Sequence, residues 1–561
     1  IARFQEEAAV RLLAPLGQDE GVIVTAGTGS GKTLAFYLPA LVRLAELAKP
    51  GEFWTKAIAI YPRNELLKDQ LTEAYRNVRR AKPALNGPGR RPLRVGAYFG
   101  DTPTKAAVDK LPKAWRPIPA RAAPRAFVCP FLRCDCDGEM HWLVQDIQQG
   151  RERLVCASRC GATFDEQSFP LTRDSMRENP PDILFTTTEM LNRTLSDQRG
   201  RQLFGVRVSS TQRPEFLLLD EAHTYSSVSG AQAALTLRRW RSLVGGAVRW
   251  VGLSATLEQA QNFFADLTGL PAHRVTEVTP AEDDMTYEGR EYQIALRGDP
   301  ASRAALLSTS IQASMLLGRV LDPPEGPSNG RFGRKLFAFT DDLDVTHRLF
   351  DNLRDAEGYN AFGRFDPTEG TLAALRDGER RDGDPRARDG AGQRWRLPED
   401  IGHRLAEPLV VARTTGRDPG VDREANVVVA TSALEVGFND PAVGAVLQHK
   451  APRSLASFLQ RRGRAGRDRR MRPLTVTVLS DYGRDRQLFQ AFEHLFDPLL
   501  AAQSLPIQNQ YVLRMQAAFA LLDWIADRPR PDGIWPGYVW RTASVPPDPR
   551  YDDSKWRKHL Q

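Results

Sequence analysis

The sequence predicts an α/β protein: two parallel-sheet domains in tandem, a small cysteine-rich insert within the first, and a helical C-terminal extension. Three observations predict this. Short, nearly all-apolar runs alternate with longer helical patterns, as strands covered on both faces do. The runs fall into two series, with a break near residues 271–300. The chain's five cysteines all lie between residues 129 and 160.

The first series is GVIVT (21–25), AIAIY (57–61), DILFTT (182–187), FLLLD (216–220) and VRWVGLS (248–254). The second is KLFAFT (335–340), NVVVAT (426–431), GAVLQH (444–449) and LTVTVLS (474–480). These give a first domain over 1–275 and a second over 285–480. Residues 120–175, which hold the cysteines, interrupt the first domain; residues 358–400, rich in Arg, Asp and Gly, interrupt the second. Residues 81–92 read as a surface loop. The stretch 481–561 turns helical and ends in a Pro-rich tail.

At 561 residues the chain is too long for one ordinary core. Hydrophobic residues are 41% and charged residues 26%, as in a globular protein. No apolar run of about 18 residues occurs, which argues against a membrane span. The opening IARFQEEAAV lacks the pattern of a signal peptide, and its first residue is not Met, which suggests numbering from within a longer chain. Clustered cysteines in odd number argue against a secreted disulfide framework and for a cytoplasmic location. The net charge of +8 permits a polyanionic partner.

TAGTGSGKTLAF (25–36) follows the first apolar run and opens a helical one. Ala26 stands where the strict phosphate-loop pattern has its first glycine. Gly27, Thr28, Gly29, Ser30 and Gly31 still let backbone N–H groups curl around phosphate oxygens at a helix N-terminus. Lys32 would reach the β/γ-phosphates of ATP, and the Thr33 hydroxyl would hold Mg²⁺. FLLLDEAH ends a second run in two carboxylates. Asp220 suits Mg²⁺, and Glu221 suits the general base that polarises the attacking water.

With these residues the chain resembles the superfamily 2 helicases, the DEAD/DEAH-box-like nucleic-acid ATPases with two RecA-like domains. The resemblance spans roughly residues 1–480 and implies a role for each matching position. Gln5 is similar to the adenine-reading glutamine. YPRNELLKDQ (61–70) resembles motif Ia and TTTEML (186–191) motif Ib, which implies strand contacts for Arg63, Thr187 and Thr188; Thr431 joins them. Asp220, Glu221, Ala222 and His223 form the DEAH box. Ser254, Ala255 and Thr256 form the SAT motif, which with His223 and Gln460 couples nucleotide state to strand binding. TSALEVGFND (431–440) resembles motif V, with Gly437 and Asp440 at the nucleotide. QRRGRAGR (460–467) resembles motif VI, with Arg464 and Arg467 as arginine fingers. YFGDTP (98–103) and LEVGFND point to the RecQ-related and Lhr-type branch. Motif IV is indistinct around FTDDLD (339–344), and the 358–400 insertion lies outside the common core.

The cysteines follow Cys129-x₄-Cys134-x-Cys136, then nineteen residues, then Cys156-x₃-Cys160. Two close groups about a hairpin-length spacer build a tetrahedral zinc site. The expected module is zinc-ribbon-like, held by Cys129, Cys156, Cys160 and either Cys134 or Cys136, with Pro130 and Gly161 in the tight turns. The spacer MHWLVQDIQQGRERLV reads as two strands around QQG, with His141 a polar strand residue. An iron–sulfur cluster is the rival; the spacing favours zinc over it.

The first expectation is an ATP-driven helicase or translocase on single-stranded or duplex DNA, without membrane association. RNA remodelling is the alternative, as is a nucleic-acid-stimulated ATPase switch or loader that does not unwind. Protein partners in a larger complex, and a bacterial genome-maintenance or antiviral defence setting, are further expectations of the resemblance.

Overall fold

The structure is a computed structural model. It describes residues 2–527 apart from 28–29, 120–123, 159, 256, 282, 284–288, 299–305, 323–325, 379–389, 391, 416–421, 423, 432–433, 435–439, 469 and 497–501. The chain folds into two compact units. Among the described residues, 2–26, 32–280 and 502–527 make the first; those within 27–31 and 281–501 make the second.

In the first unit, strands β1 (Glu20–Thr25), β2 (Ala57–Tyr61) and β3 (Val95–Tyr98) precede the insert. The insert contains β4 (Arg116–Ile118), β5 (Ala126–Arg133), β6 (Glu139–Leu143), β7 (Leu154–Cys156) and β8 (Thr163–Phe164). After it come β9 (Ile183–Thr187), β10 (Phe216–Leu219), β11 (Arg249–Ser254) and β12 (Val275–Val278). Seven of these form one parallel sheet in the order β12-β1-β11-β10-β2-β9-β3. Every residue of β2, β10 and β11 is buried, which is why those runs are continuously apolar. At the N-terminal edge of the sheet, Lys56 Nζ and the Arg91 guanidinium both lie 2.6 Å from the fully buried Asp182 carboxylate. The Arg94 N–H donates to the same carboxylate at 2.8 Å, so the buried charge is paired and hydrogen-bonded.

The insert is an antiparallel meander, β4-β5-β6-β7-β8. A helical turn, Val144–Gln148, separates β6 from β7 where the sequence suggested a plain strand pair. The meander packs on the helix Asn64–Leu85: Tyr75 meets the rings of Phe164 and Phe169 edge-on at 5.0 and 5.1 Å.

In the second unit, β13 (Tyr292–Arg297), β14 (Lys335–Phe339), β15 (Val411–Thr414), β16 (Val427–Ala430), β17 (Val443–His449) and β18 (Leu474–Leu479) form a parallel sheet in the order β13-β18-β17-β14-β16-β15. Arg319 and Glu357 make a buried bidentate pair at 2.7 Å, and Glu357 also accepts the Leu409 N–H at 2.9 Å. Part of the 358–400 stretch is ordered onto this core, with Trp395 packed against it; the rest lies outside the described residues.

The C-terminal extension is not one piece. Helices Gly483–Gln490 and Glu493–Phe496 belong to the second unit, where Leu488, Phe489, Leu495 and Phe496 share a small apolar cluster. Residues 502–527 are part of the first unit again, and the helix Gln510–Asp527 packs on the helix Ser227–Val244.

Candidate nucleotide site and cysteine cluster

A parallel sheet places its ligands beyond the carboxyl ends of its strands, where the helices that follow begin. Along that edge of the first unit, β1 leads toward the glycine loop and β11 ends at Ser254. β10 leads into Asp220, β2 into Arg63 and β9 into Thr187 and Thr188. Five neighbouring strands thus deliver five of the sequence-predicted segments to one edge. The register fixes this, pairing Thr25 with Ser254 and Tyr61 with Thr187.

Ser254 is the point of convergence. Its carbonyl oxygen accepts the Lys32 amine at 2.9 Å and the Ala26 N–H at 3.2 Å. Its hydroxyl lies 3.3 Å from His223 Nδ1, which also accepts the Ala255 N–H at 3.2 Å. His223 is buried, and burial lowers its pKa, so the ring is neutral with Nδ1 as acceptor. The DEAH and SAT segments are therefore joined by hydrogen bonds. Thr33 opens the helix Lys32–Leu47. Ser30 donates through N and Oγ to the Gly27 carbonyl, and Gly31 has φ +84°.

Asp220 is buried, and burial together with the neighbouring Glu221 raises its carboxyl to about 7. The Glu221 N–H donates to Asp220 Oδ1 at 2.8 Å. Glu221 has φ +48°, the left-handed region that a residue with a Cβ occupies at a cost. Its carbonyl is held by the Thr224 hydroxyl at 2.7 Å and the Thr224 N–H at 2.8 Å. Two carboxylates at the end of a buried strand, near an amine, can hold a divalent cation and activate water.

Arg63 is exposed at the N-cap of Asn64–Leu85, and Thr187 caps the helix Thr188–Leu195, its hydroxyl accepting the Met190 N–H. Both helix starts flank the same edge. Gln5 sits in the first turn of the helix Arg3–Leu13, where its amide oxygen accepts the Ala2 N–H at 2.9 Å.

In the second unit, Thr431 follows the carboxyl end of β16 and Gln460 lies on the helix Leu455–Arg462. Two of the motif VI arginines turn inward. Arg461 donates to Gln448 at 2.7 Å and to Asp341 at 2.5 Å. Arg462 pairs with Glu291 at 2.7 Å. Arg464 and Arg467 lie beyond the helix end, half-buried and exposed respectively. Asp341, in the indistinct motif IV stretch, also accepts the Arg453 N–H at 2.9 Å. It is thus the anchor of this helix, a role signalled only by an acid just after an apolar run. Asp440 departs from its expected place at the nucleotide. Its carboxylate accepts Lys335 Nζ at 2.8 Å and the Ala442 N–H at 2.9 Å, at the amino end of β14 and β17. That is the edge opposite Thr431. Thr28, Gly29, Thr256 and Gly437 lie outside the described residues.

Four of the five cysteines form a cluster: Cys134, Cys136, Cys156 and Cys160 have all their Sγ atoms within 4.8 Å of one another. The closest pairs are 3.4 and 3.5 Å apart. Both Cys134 and Cys136 belong, which the sequence left as alternatives. Cys129 does not: it lies buried within β5, where burial pushes its thiol up to about 12. Pro130 is likewise inside β5 rather than at a turn. The tight turn is Asp137–Gly138, closed by Asp137 N–H to the Cys134 carbonyl and Cys134 N–H to the Gly138 carbonyl. A Cβ on Gly138 would stand 2.8 Å from Cys156 Sγ and 2.4 Å from Ser158 Oγ, so only glycine fits against the thiolates. Gly161 does serve a turn, with φ +65°. The donor set fits a soft tetrahedral metal.

Family comparison agrees with this layout. Residues 2–114 and 140–263 match the DEAD/DEAH box helicase domain, and residues 417–469 match the helicase conserved C-terminal domain. The chain thus contains a DEAD/DEAH box helicase domain followed by a helicase conserved C-terminal domain. Among particular relatives, it is 28% identical over 311 residues to Druantia protein DruE of Escherichia coli strain UMEA 4076-1, covering 46% of this chain and 16% of that protein. It is 28% identical over 323 residues to the Lhr helicase/uracil glycosylase of Escherichia coli K12, covering 55% and 19%. The chain thus spans less than a quarter of the length of these relatives. Among solved structures, the DUF1998 helicase MrfA bound to DNA shares the fold at TM-score 0.54 and 16% identity, covering 93% of this chain and 52% of that one. Mycobacterium smegmatis Lhr bound to single-stranded DNA and AMP-PNP shares it at TM-score 0.54 and 20% identity, covering 92% and 50%. No helix among the described residues is long and apolar enough to cross a membrane.

Proposed function

We propose that this chain is the motor of an ATP-dependent DNA helicase or translocase. The observation that carries the reading is the convergence on Ser254. The phosphate-loop amine, Lys32, and the DEAH histidine, His223, both bond to one residue of the SAT motif. A change at the nucleotide therefore has a bonded route to the rest of the sheet edge. Lys32 binds the β/γ-phosphates; Thr33 and Asp220 hold Mg²⁺; Glu221 accepts the proton of the attacking water. Arg464 and Arg467 supply positive charge to the transferring phosphoryl group. Arg63, Thr187, Thr188 and Thr431 grip the phosphate backbone of a single strand without reading its sequence. Similarity to Lhr helicases supports DNA as the strand, and similarity to DruE supports a bacterial defence or genome-maintenance setting.

We assign zinc to the cysteine cluster. Four thiolates on one ion, each at about 2.3 Å, stand roughly 3.8 Å apart. Closest Sγ pairs at 3.4 and 3.5 Å, with all four atoms within 4.8 Å of one another, support a single central ion, whereas an iron–sulfur cluster, with its cysteines on different irons, needs a wider ring.

The test is ATP turnover with single-stranded DNA and with RNA. DNA should stimulate the wild-type protein, and Glu221→Gln should lower stimulated turnover roughly 10²–10⁴-fold while nucleotide still binds. Lys32→Ala should abolish nucleotide binding. Stimulation by RNA alone would assign the RNA-remodelling alternative; full turnover in both variants would refute the site. Elemental analysis should find one zinc per chain, and iron with acid-labile sulfide would refute that assignment.

A further inference from the structure

The segment that returns to the first unit runs along elements that follow the SAT, DEAH and motif Ib segments. It begins at Ala502, whose N–H donates to Glu258, two residues past the SAT motif, at 3.4 Å. Leu505 then seats against Gly230 on the helix that follows the DEAH box. A Cβ on Gly230 would come within 2.7 Å of Leu505 Cδ2 and of the Tyr225 carbonyl oxygen, so the crossing requires glycine. The helix Gln510–Asp527 next turns Val512, Gln516, Phe519, Asp523 and Ala526 toward the unit, a stripe at helical spacing.

Two members of that stripe are polar, and both meet Arg239. The Arg239 guanidinium lies 2.6 Å from Asp523 and donates to Gln516 at 2.9 Å, with the Phe519 ring 5.2 Å beneath it. It also donates to Asn192, on the helix that Thr187 caps. Asp523 spends its other oxygen on the Ser196 hydroxyl at 2.7 Å, and Gln198 donates to the Ala526 carbonyl at 3.0 Å. Arg239 and Asp523 are 9% and 4% exposed, so the pair is held in a setting where a displaced partner is costly.

We infer that the segment 502–527 is a strap that positions the motif Ib helix, and through it Thr187 and Thr188, for the nucleic-acid strand, with Asp523 and Ser196 as positioning residues. The helix Thr188–Leu195 is eight residues long, so fixing its carboxyl end fixes its amino end. The inference rests on Thr187 and Thr188 being strand contacts.

The experiment measures DNA-stimulated ATP turnover as a function of single-stranded DNA concentration for wild type, Ser196→Ala and Asp523→Asn. Ser196→Ala removes one bond between strap and helix end and leaves the Gln198–Ala526 bond and the Arg239 pair in place, so it keeps the fold. We expect the DNA concentration for half-maximal stimulation to rise roughly tenfold in Asp523→Asn and severalfold in Ser196→Ala. The ATP KM, the unstimulated rate and the maximal stimulated rate should stay unchanged. A lower melting temperature with an unchanged DNA requirement would show a merely structural strap and overturn the inference. So would a parallel loss of maximal rate and ATP affinity. A wild-type protein that no DNA stimulates would instead overturn the function on which the inference rests.

Discussion

Asp220 and Glu221 show what the site demands of single residues. Burial and the adjacent Glu221 raise the Asp220 carboxyl to about 7, so the metal-free fold favours its protonated form. The group's folded pKa lies above its unfolded value. Its contribution to stability is therefore complete below pH 4 or so and is lost as pH rises through about 7. In metal-free protein the melting temperature should fall between pH 5 and pH 8, and Asp220→Asn should remove much of that fall. The check is differential scanning fluorimetry in EDTA across that range, and equal slopes in both proteins would contradict the assignment. Glu221, at φ +48°, holds a conformation that glycine adopts freely. Glu221→Gly should stabilise the fold by about 1 kcal/mol while destroying hydrolysis, measurable as a raised denaturation midpoint in an inactive protein.

Elements divide cleanly into those the sequence makes legible and those it hides. The nine apolar runs all became interior strands. The four parallel strands that went unread, β3, β12, β13 and β15, are the four edges of the two sheets. An edge strand is covered on fewer sides, so its composition loosens: β13 is half-buried or exposed throughout, and β12 and β15 are partly so, whereas β3 is fully buried but only four residues long. The helix Gln510–Asp527 was legible as a helix but not as a buried face, because Gln516 and Asp523 sit in its inward stripe. The cysteine ring was legible as a ring. Its membership was not, since Cys129 differs from Cys134 only in lying within the strand, which spacing cannot reveal.

The insert's turn is tied to the motif Ia helix by Arg76, which lies 3.2 Å from Asp137, and by Arg79, which lies 3.1 Å from Asp135. Metal loss should therefore loosen the insert first. Cys156→Ser should remove one donor of the cysteine cluster and raise amide exchange across β6 to β8 before the parallel sheet is affected; hydrogen–deuterium exchange reads this directly.

For the whole molecule, two separate cores predict two unfolding transitions rather than one. Each core has its own buried ion pair, and each serves as a label. Glu357→Ala strands the Arg319 charge and should cost the second unit about 3–5 kcal/mol; Asp182→Ala, stranding Lys56, should do the same to the first. Calorimetry should show each variant lowering a different transition, and a shared shift would mean that the cores unfold together. The motif order made the two halves readable, because the glycine loop, the DEAH box, the SAT motif and motif V each stand at the end of an apolar run. Nothing in that order tells to which half the last helix belongs.

That discontinuity bears on how the protein is made. Residues 502–527 leave the ribosome only after the whole of the second unit, a delay of roughly ten to forty seconds at ordinary elongation rates. Throughout that interval Arg239 waits without Asp523, and the niche at Gly230 waits without Leu505. The nascent first half is thus an unfinished product for most of its synthesis, and a chaperone has that window in which to shield it.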